Sequence, residues 1–243
     1  MDQVSARILA RLYPDVFPAE GAGWRERRSA ETRIALLEAT IDCLQKVGYA
    51  NTSNRTIAEL AGISHGTIGH HYATQLDLIA AAVDYAFYKR MEIFVAEVMK
   101  LTEAERVDEV TGAELYWQSL NTREYAACLE LEIASRSDQE LKKIYLPRAR
   151  RFDQIWREEM VRIFPEWRNK GDLYTLVTDF GWALLEGMML KYEIWDSKER
   201  RDRVRALQRM VIRMLRTGEL TAPAPSTTLA TEKPESSRRP KRR

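Results

Sequence analysis

Residues 56–72 read Thr56-Ile57-Ala58-Glu59-Leu60-Ala61-Gly62-Ile63-Ser64-His65-Gly66-Thr67-Ile68-Gly69-His70-His71-Tyr72, and this stretch decides the fold. Gly62 permits the positive φ of a tight turn, Ile63 plugs the angle between two helices, and the Ser64 hydroxyl can accept an orphan N–H of the helix that follows. Upstream, Thr52 or Ser53 can cap the first helix of the pair, predicted over Asn54–Ala61, where Ile57, Ala58, Leu60 and Ala61 are available for packing. The second helix is predicted from His65 to about Tyr72, short and polar on one side. Two short helices joined by a three-residue turn containing glycine place the second in a major groove. A longer helix, predicted from about Ser29 to Val47, puts Ile34, Leu37, Ile41 and Leu44 on one stripe. It stops at Gly48 and buttresses the pair.

All three histidines of the chain, His65, His70 and His71, lie in or beside the second short helix. At about 100° per residue, His65 and His70 point about 140° apart and His70 and His71 about 100° apart, so they do not converge on a metal. As donors to phosphate oxygens or base edges they predict a DNA affinity that strengthens as pH falls from about 8 toward 6. The plainer alternative is that one or two of them cap or pack at the helix end.

The combination Thr32 to Thr40, Gly48 to Ser53, Ile57 to Ser64 and Gly66 to Ile68, followed by Tyr72 and Leu78, resembles the signature of the TetR (tetracycline-repressor) family of transcriptional regulators. The resemblance implies an all-α fold: an N-terminal three-helix DNA-binding domain, then a helical domain for ligand binding and dimerisation. It also implies a homodimer on a palindromic operator, usually a repressor released by a small effector. Matched residue by residue, the implied DNA contacts are Thr52, Ser53, Arg55, Ser64, His65, Gly66 through its backbone, Thr67, His70, His71 and Tyr72. Arg25, Arg27 and Arg28, just ahead of the first long helix, either reach the DNA backbone or are simply solvated. Two positions depart from the family: Gly69 stands where tyrosine is common and Gln75 where lysine is common. Both put the operator contact pattern in question, and a head turned to protein interaction or activation is the alternative function.

The rest of the chain excludes other classes. With 243 residues, 45% hydrophobic and 30% charged, it is long enough for a compact head and a larger core. Cys43 and Cys128 make neither a disulfide framework nor a zinc spacing, which suits a reducing cytoplasm. The most apolar run, Phe180 to Trp195, is broken by Glu186, Lys191 and Glu193, against a membrane span. No histidine follows position 71 and no glycine-rich phosphate loop is present, so neither a catalytic triad, nor a zinc-protease motif, nor a cofactor is expected. The formal charge is +2 overall; the tail from Thr221 carries +4, which leaves −2 for the remainder and makes any DNA binding local. The expected divisions are residues 1–24, a flexible leader or a short helical arm; 25–73, the DNA-binding domain; 74–218, the helical domain; and 219–243, a disordered basic tail.

In the helical domain, Thr74 and Asp77 predict a capping-box start to a helix running to about Met99. Further helices are predicted at about 107–120, 122–136, 139–163, with Pro147 as a start or kink, and 172–195, then from Lys198 to Thr217. The last two are expected to form a four-helix homodimer contact through Leu176, Leu184, Met188 and Trp195, and Val204, Leu207, Val211 and Met214. Trp117, Tyr125, Cys128, Phe152, Trp156, Phe180 and Met189 are candidate walls of a ligand cavity for a small apolar or aromatic effector, or else ordinary core. Glu132, flanked by Leu131 and Ile133, is either a partly buried carboxylate facing the ligand or the partner of Arg136 at i+4.

Overall fold

The computed structural model describes residues 3–102, 105, 109–195 and 197–223. Among these are ten α-helices and no strand: α1 (Gln3–Ala10), α2 (Trp24–Val47), α3 (Asn54–Ala61), α4 (His65–His71), α5 (Gln75–Val98), α6 (Glu109–Ser119), α7 (Arg123–Ala134), α8 (Gln139–Ile163), α9 (Gly171–Leu190) and α10 (Lys198–Thr217). None of the described helices is long and apolar enough to cross a membrane. The expected disordered tail lies, from residue 224 on, outside the described residues.

The head is α2, α3 and α4. The stripe on α2 is buried at Leu37, Ile41 and Leu44, with Ile34 half-buried, and it packs against Ile57 of α3 and Ile68 of α4. Two glycines make its corners. Gly62 sits at φ 65° in the left-handed region, where it ends α3 and lets the chain turn into α4. Gly48, at φ 77°, ends α2, and the Glu130 carboxylate would lie 3.0 Å from any Cβ placed there. That carboxylate accepts the Tyr49 N–H at 2.7 Å, fastening the end of α2 to α7 of the body.

α5 begins at Thr74, whose hydroxyl accepts the Asp77 N–H while the Asp77 carboxylate accepts the Thr74 N–H. It runs through the centre of the body with Leu78, Ile79, Ala82, Val83, Met91 and Phe94 buried. α6, α7 and α8 pack against it, and α9 and α10 pack on each other beside α6. α8 continues through Pro147 unbroken, where a start or kink was predicted; the proline removes one N–H and one backbone bond from the helix.

The N-terminal segment is an arm packed on the body. Ile8, Leu9, Leu12 and Val16 are buried against it. Glu159 of α8, with no solvent exposure, accepts from Arg7 at 2.8 Å, from Arg11 at 2.7 Å and from Arg162 at 2.5 Å. A fully buried carboxylate is stable only when paired and hydrogen-bonded, so the same contacts that satisfy Glu159 hold the arm.

α9 ends at Leu190, five residues short of the predicted 195, and residues 191–194 form turns. The rings of Tyr192 and Trp195 are covered by the guanidinium groups of Arg201 and Arg200, each 4.4 Å from the ring centre. Cation–π pairing with the next helix replaces another helical turn.

Candidate nucleic-acid interface and effector pocket

α4 buries Ile68, half-buries Thr67 and His71, and holds the rest of its length to the outside. Ser64 caps it, its hydroxyl accepting the Thr67 N–H at 3.3 Å and meeting the Thr67 hydroxyl at 2.7 Å. His65, Gly66, Gly69 and His70 are exposed and Thr67 is half-exposed. On α3, Arg55 is exposed and lies against Glu59 at 2.9 Å, and Ser53 caps the helix. These residues form one polar ridge without a carboxylate on α4, a shape and chemistry suited to a phosphate-lined groove. α2 begins at Trp24, five residues before the expected Ser29, so Arg25, Arg27 and Arg28 lie in its first turns, where they are exposed, with Arg28 5.5 Å over the Trp24 ring.

Three of the expected DNA contacts are placed differently. Thr52 is 4% exposed and its hydroxyl donates to the Gly48 carbonyl at 2.8 Å, so it locks the turn between α2 and α3. His71 and Tyr72 are half-buried and line a cleft shared with Arg33, Leu12 and Tyr13 of the arm. Burial, with Arg33 and His70 nearby, holds the His71 imidazole below its ordinary pKa. Burial also pushes the Tyr72 phenol up to about 12. His70, about 100° round the helix from His71, is exposed. Gln75 does not reach outward either: its amide donates to the Thr52 carbonyl at 2.5 Å, tying the start of α5 to the base of α3.

Head and body are joined by a polar seam. Arg123 of α7 pairs with Glu38 and, at 2.7 Å, with Asp42, both on α2, and Tyr85 of α5 donates to Glu38 at 2.6 Å. The Tyr49 hydroxyl donates to Asp138 at 2.8 Å.

In the body, α5, α6, α8, α9 and α10 line a half-open cavity of about 110 Å³. Phe94, Tyr116, Trp156, Trp167, Tyr174 and Trp182 wall it, and Glu166 and Gln208 are polar residues at its lining. Of the predicted walls, Trp156 is present. Tyr125, Cys128 and Phe152 gather one layer away around Arg90. Trp117 lies under Arg205, 5.0 Å from the ring centre, and Met189 packs half-buried against the core. Phe180 is 37% exposed, on the outside of α9. Glu132 is an exposed residue that meets the Tyr145 hydroxyl at 3.4 Å, and the buried-carboxylate role falls to Glu186 instead. Glu186 accepts from the Tyr116 hydroxyl at 2.7 Å, and burial pushes its carboxyl pKa up. Arg90 and Glu186 were legible as charges interrupting apolar helix faces, whereas Tyr116 and Trp182 carried no such mark.

Of the predicted dimer residues, Leu207 is exposed, and Leu176, Leu184, Val204, Val211 and Met214 are half-buried. Phe180, Leu190 and Met210 add to the exposed apolar surface of α9 and α10. Met188 is buried inside the subunit and Trp195 lies beyond the helix, so neither is on that face.

The family described as "Bacterial regulatory proteins, tetR family" matches residues 36–82. An HTH-type transcriptional regulator of Mycobacterium tuberculosis is 30% identical over 119 residues, which are 49% of this chain and 60% of the relative. The chain thus spans less than two thirds of the curated relatives it matches. A TetR-family transcriptional regulator from Rhodococcus superposes with a TM-score of 0.57 at 17% identity, covering 76% of this chain and 99% of the other. A transcriptional regulator from Saccharomonospora viridis, solved in complex with choline, superposes with a TM-score of 0.55 at 20% identity, covering 76% and 96%.

Proposed function

We propose that this chain, whose residues 36–82 match the tetR family of bacterial regulatory proteins, is a TetR-type helix-turn-helix transcriptional regulator and a repressor released by a small organic effector. It acts in the cytoplasm as a homodimer on a palindromic operator. The observation that carries the reading is the exposed polar ridge of α4, capped by Ser64 and carrying His65, Thr67 and His70, above a body with an aromatic-walled cavity. Backbone phosphates position such a helix and its outward side chains read base edges. An effector in the cavity changes the packing of α5, α6 and α8, and the Arg123 seam carries that change to α2 and hence to the spacing of two heads. That a regulator of the same fold was solved with choline supports small-molecule sensing.

The test is binding of the purified full chain to DNA from upstream of its own coding region, at two salt concentrations. A specific shift is expected, with affinity falling roughly tenfold or more as monovalent salt rises from about 50 to 200 mM, because several phosphate contacts release counterions. No specific shift on any upstream fragment refutes the DNA-binding role and leaves the protein-interaction head as the function.

A further inference from the structure

The cavity in the body has one hydrogen-bonding side chain whose capacity is unspent. Gln208 of α10 is 2% exposed, lines the cavity, and takes part in no side-chain hydrogen bond among the described residues. Gly181 of α9, also at the lining, makes room for its amide: a Cβ there would stand 3.2 Å from the Gln208 Nε2. The other polar groups at the lining are committed. Thr178 bonds the Tyr174 side chain, the Tyr116 hydroxyl donates to Glu186 at 2.7 Å, and Glu166 is engaged within the chain. Aromatic rings dominate the rest. Tyr116 and Trp182 stack at 5.3 Å with their planes 9° apart, and Trp156 meets both nearly edge-on at 5.7 and 5.9 Å.

A primary amide this buried has given up most of its water, so a group that enters the cavity and bonds it gains what the chain itself does not supply. We infer that Gln208 is the polar anchor of the effector site, and that the effector is an uncharged single-ring aromatic whose polar group both donates and accepts: an amide, a lactam or a hydroxyl. Gln208 offers one carbonyl and two N–H groups, so such a group satisfies it in both directions. Volume sets the single ring. A cavity of about 150 Å³ takes up benzene, and this one holds about 110 Å³ and is half-open. Aromatic walls receive a flat ring by offset stacking or edge contact. Charge of either sign is refused. No Arg, Lys or His stands among the described residues at the lining to meet an anion. A cation finds the Trp182 ring already covered by the Arg157 guanidinium, 5.4 Å from the ring centre, and Glu166 engaged. Either ion would shed its hydration without an uncommitted opposite charge to receive it. This assignment rests on the helical domain being the effector domain, and DNA binding reports on that separately.

The experiment uses the full chain with benzamide, phenol, benzoate, benzylammonium and α-methylstyrene, which has the shape of benzamide without its hydrogen-bonding groups. Binding is read by tryptophan fluorescence, since Trp156, Trp167 and Trp182 line the cavity, and by thermal shift. Benzamide or phenol is expected to bind about tenfold or more tightly than benzoate and benzylammonium. Gln208→Met is expected to weaken that ligand about tenfold and to leave α-methylstyrene within about twofold. It should not lower the melting temperature of the ligand-free protein, since the amide it removes has no partner among the described residues. Gly181→Ala, which crowds the same amide, is expected to weaken that ligand with unchanged circular dichroism. A charged analogue that binds as tightly overturns the assignment. So does a Gln208→Met variant that weakens the polar ligand and α-methylstyrene alike, weakens neither, or unfolds, which makes the amide structural. So does the absence of benzamide and phenol binding in the millimolar range by a protein that still shifts its operator. Loss of the operator shift with Gln208-dependent binding intact strikes the regulator reading instead.

Discussion

Gly69 is the residue whose oddity has the simplest physical consequence. It lies inside α4, and a Cβ added there would meet nothing within 4 Å. Gly69→Ala should therefore stabilise the protein by about 0.5–1 kcal/mol, read from the urea midpoint at constant m-value, by reducing the freedom of the unfolded chain. The histidines separate at this scale too. His70 is exposed while His71 is half-buried and turned to the arm, so His70→Ala should weaken operator binding about fivefold and His71→Ala by less. A protonated imidazole is the better phosphate donor, so affinity should rise at low pH where His71 takes up its proton. The share of His71 should appear only below its ordinary range, since its pKa is lowered by burial. Filter-binding titrations at constant ionic strength check both statements; a flat pH profile sinks the second. Sequence could not decide between Thr52 and Ser53 as the cap of α3, because both hydroxyls satisfy the same rule. Ser53 takes the role, its hydroxyl accepting the Thr56 N–H, and Thr52 is consumed by the Gly48 carbonyl.

Among elements, the N-terminal arm is the one whose fate the sequence left open. Its apolar spacing at Ile8 and Leu12 allowed a packed helix, but its partner, Glu159, lies 148 residues away from Arg11. Glu159→Gln should loosen the arm by about 1–3 kcal/mol, the worth of charge-assisted hydrogen bonds. Trypsin cleavage at Arg7 and Arg11 in the otherwise folded protein should accelerate roughly tenfold. Unchanged cleavage would show that Ile8 and Leu9 hold the arm without the ion pairs. A second element-scale prediction concerns α8. Its N-cap, Asp138, is held below the usual carboxylate range by the Leu141 N–H and then by the Tyr49 hydroxyl. A folded pKa below the unfolded one adds stability that is fully present above the unfolded value of about 3.9 and is lost as pH falls through the folded one. Asp138→Asn should remove that part of the acid limb of a stability-versus-pH curve, while the Arg123 pairing of Asp42, also lowered, preserves the remainder.

At the level of the whole molecule, α9 and α10 present Phe180, Leu190, Leu207 and Met210 to solvent in a single subunit. Symmetric apposition of two such faces would cover them. The double variant Phe180→Asp, Leu207→Asp should sediment as a monomer at micromolar concentration and lose most of its operator affinity, because each half-site is then bound independently. A variant that remains dimeric would move the interface off these helices. The polar seam between head and body adds a further consequence for the whole molecule. Arg123 joins α7 to α2 through Glu38 and Asp42, so Arg123→Ala should weaken the coupling between effector and DNA more than it weakens either binding alone.

What the sequence determined by itself was local: the two short helices, the Gly62 turn, the Ser64 cap and the Thr74–Asp77 capping box, all observed within a residue of their predicted places. Such features depend on groups at most a few residues apart, so the local chain contains the whole cause. Tertiary structure decided the rest. It set which aromatics line the cavity, which histidine of α4 is exposed, where α9 stops, and that the Arg90 Nε is buried without a hydrogen-bond partner. Those outcomes depend on contacts such as Tyr116 with Glu186, 70 residues apart, and Arg11 with Glu159, 148 apart. Helix periodicity shows that a face is apolar but not which neighbour will cover it, and long-range packing supplies that choice.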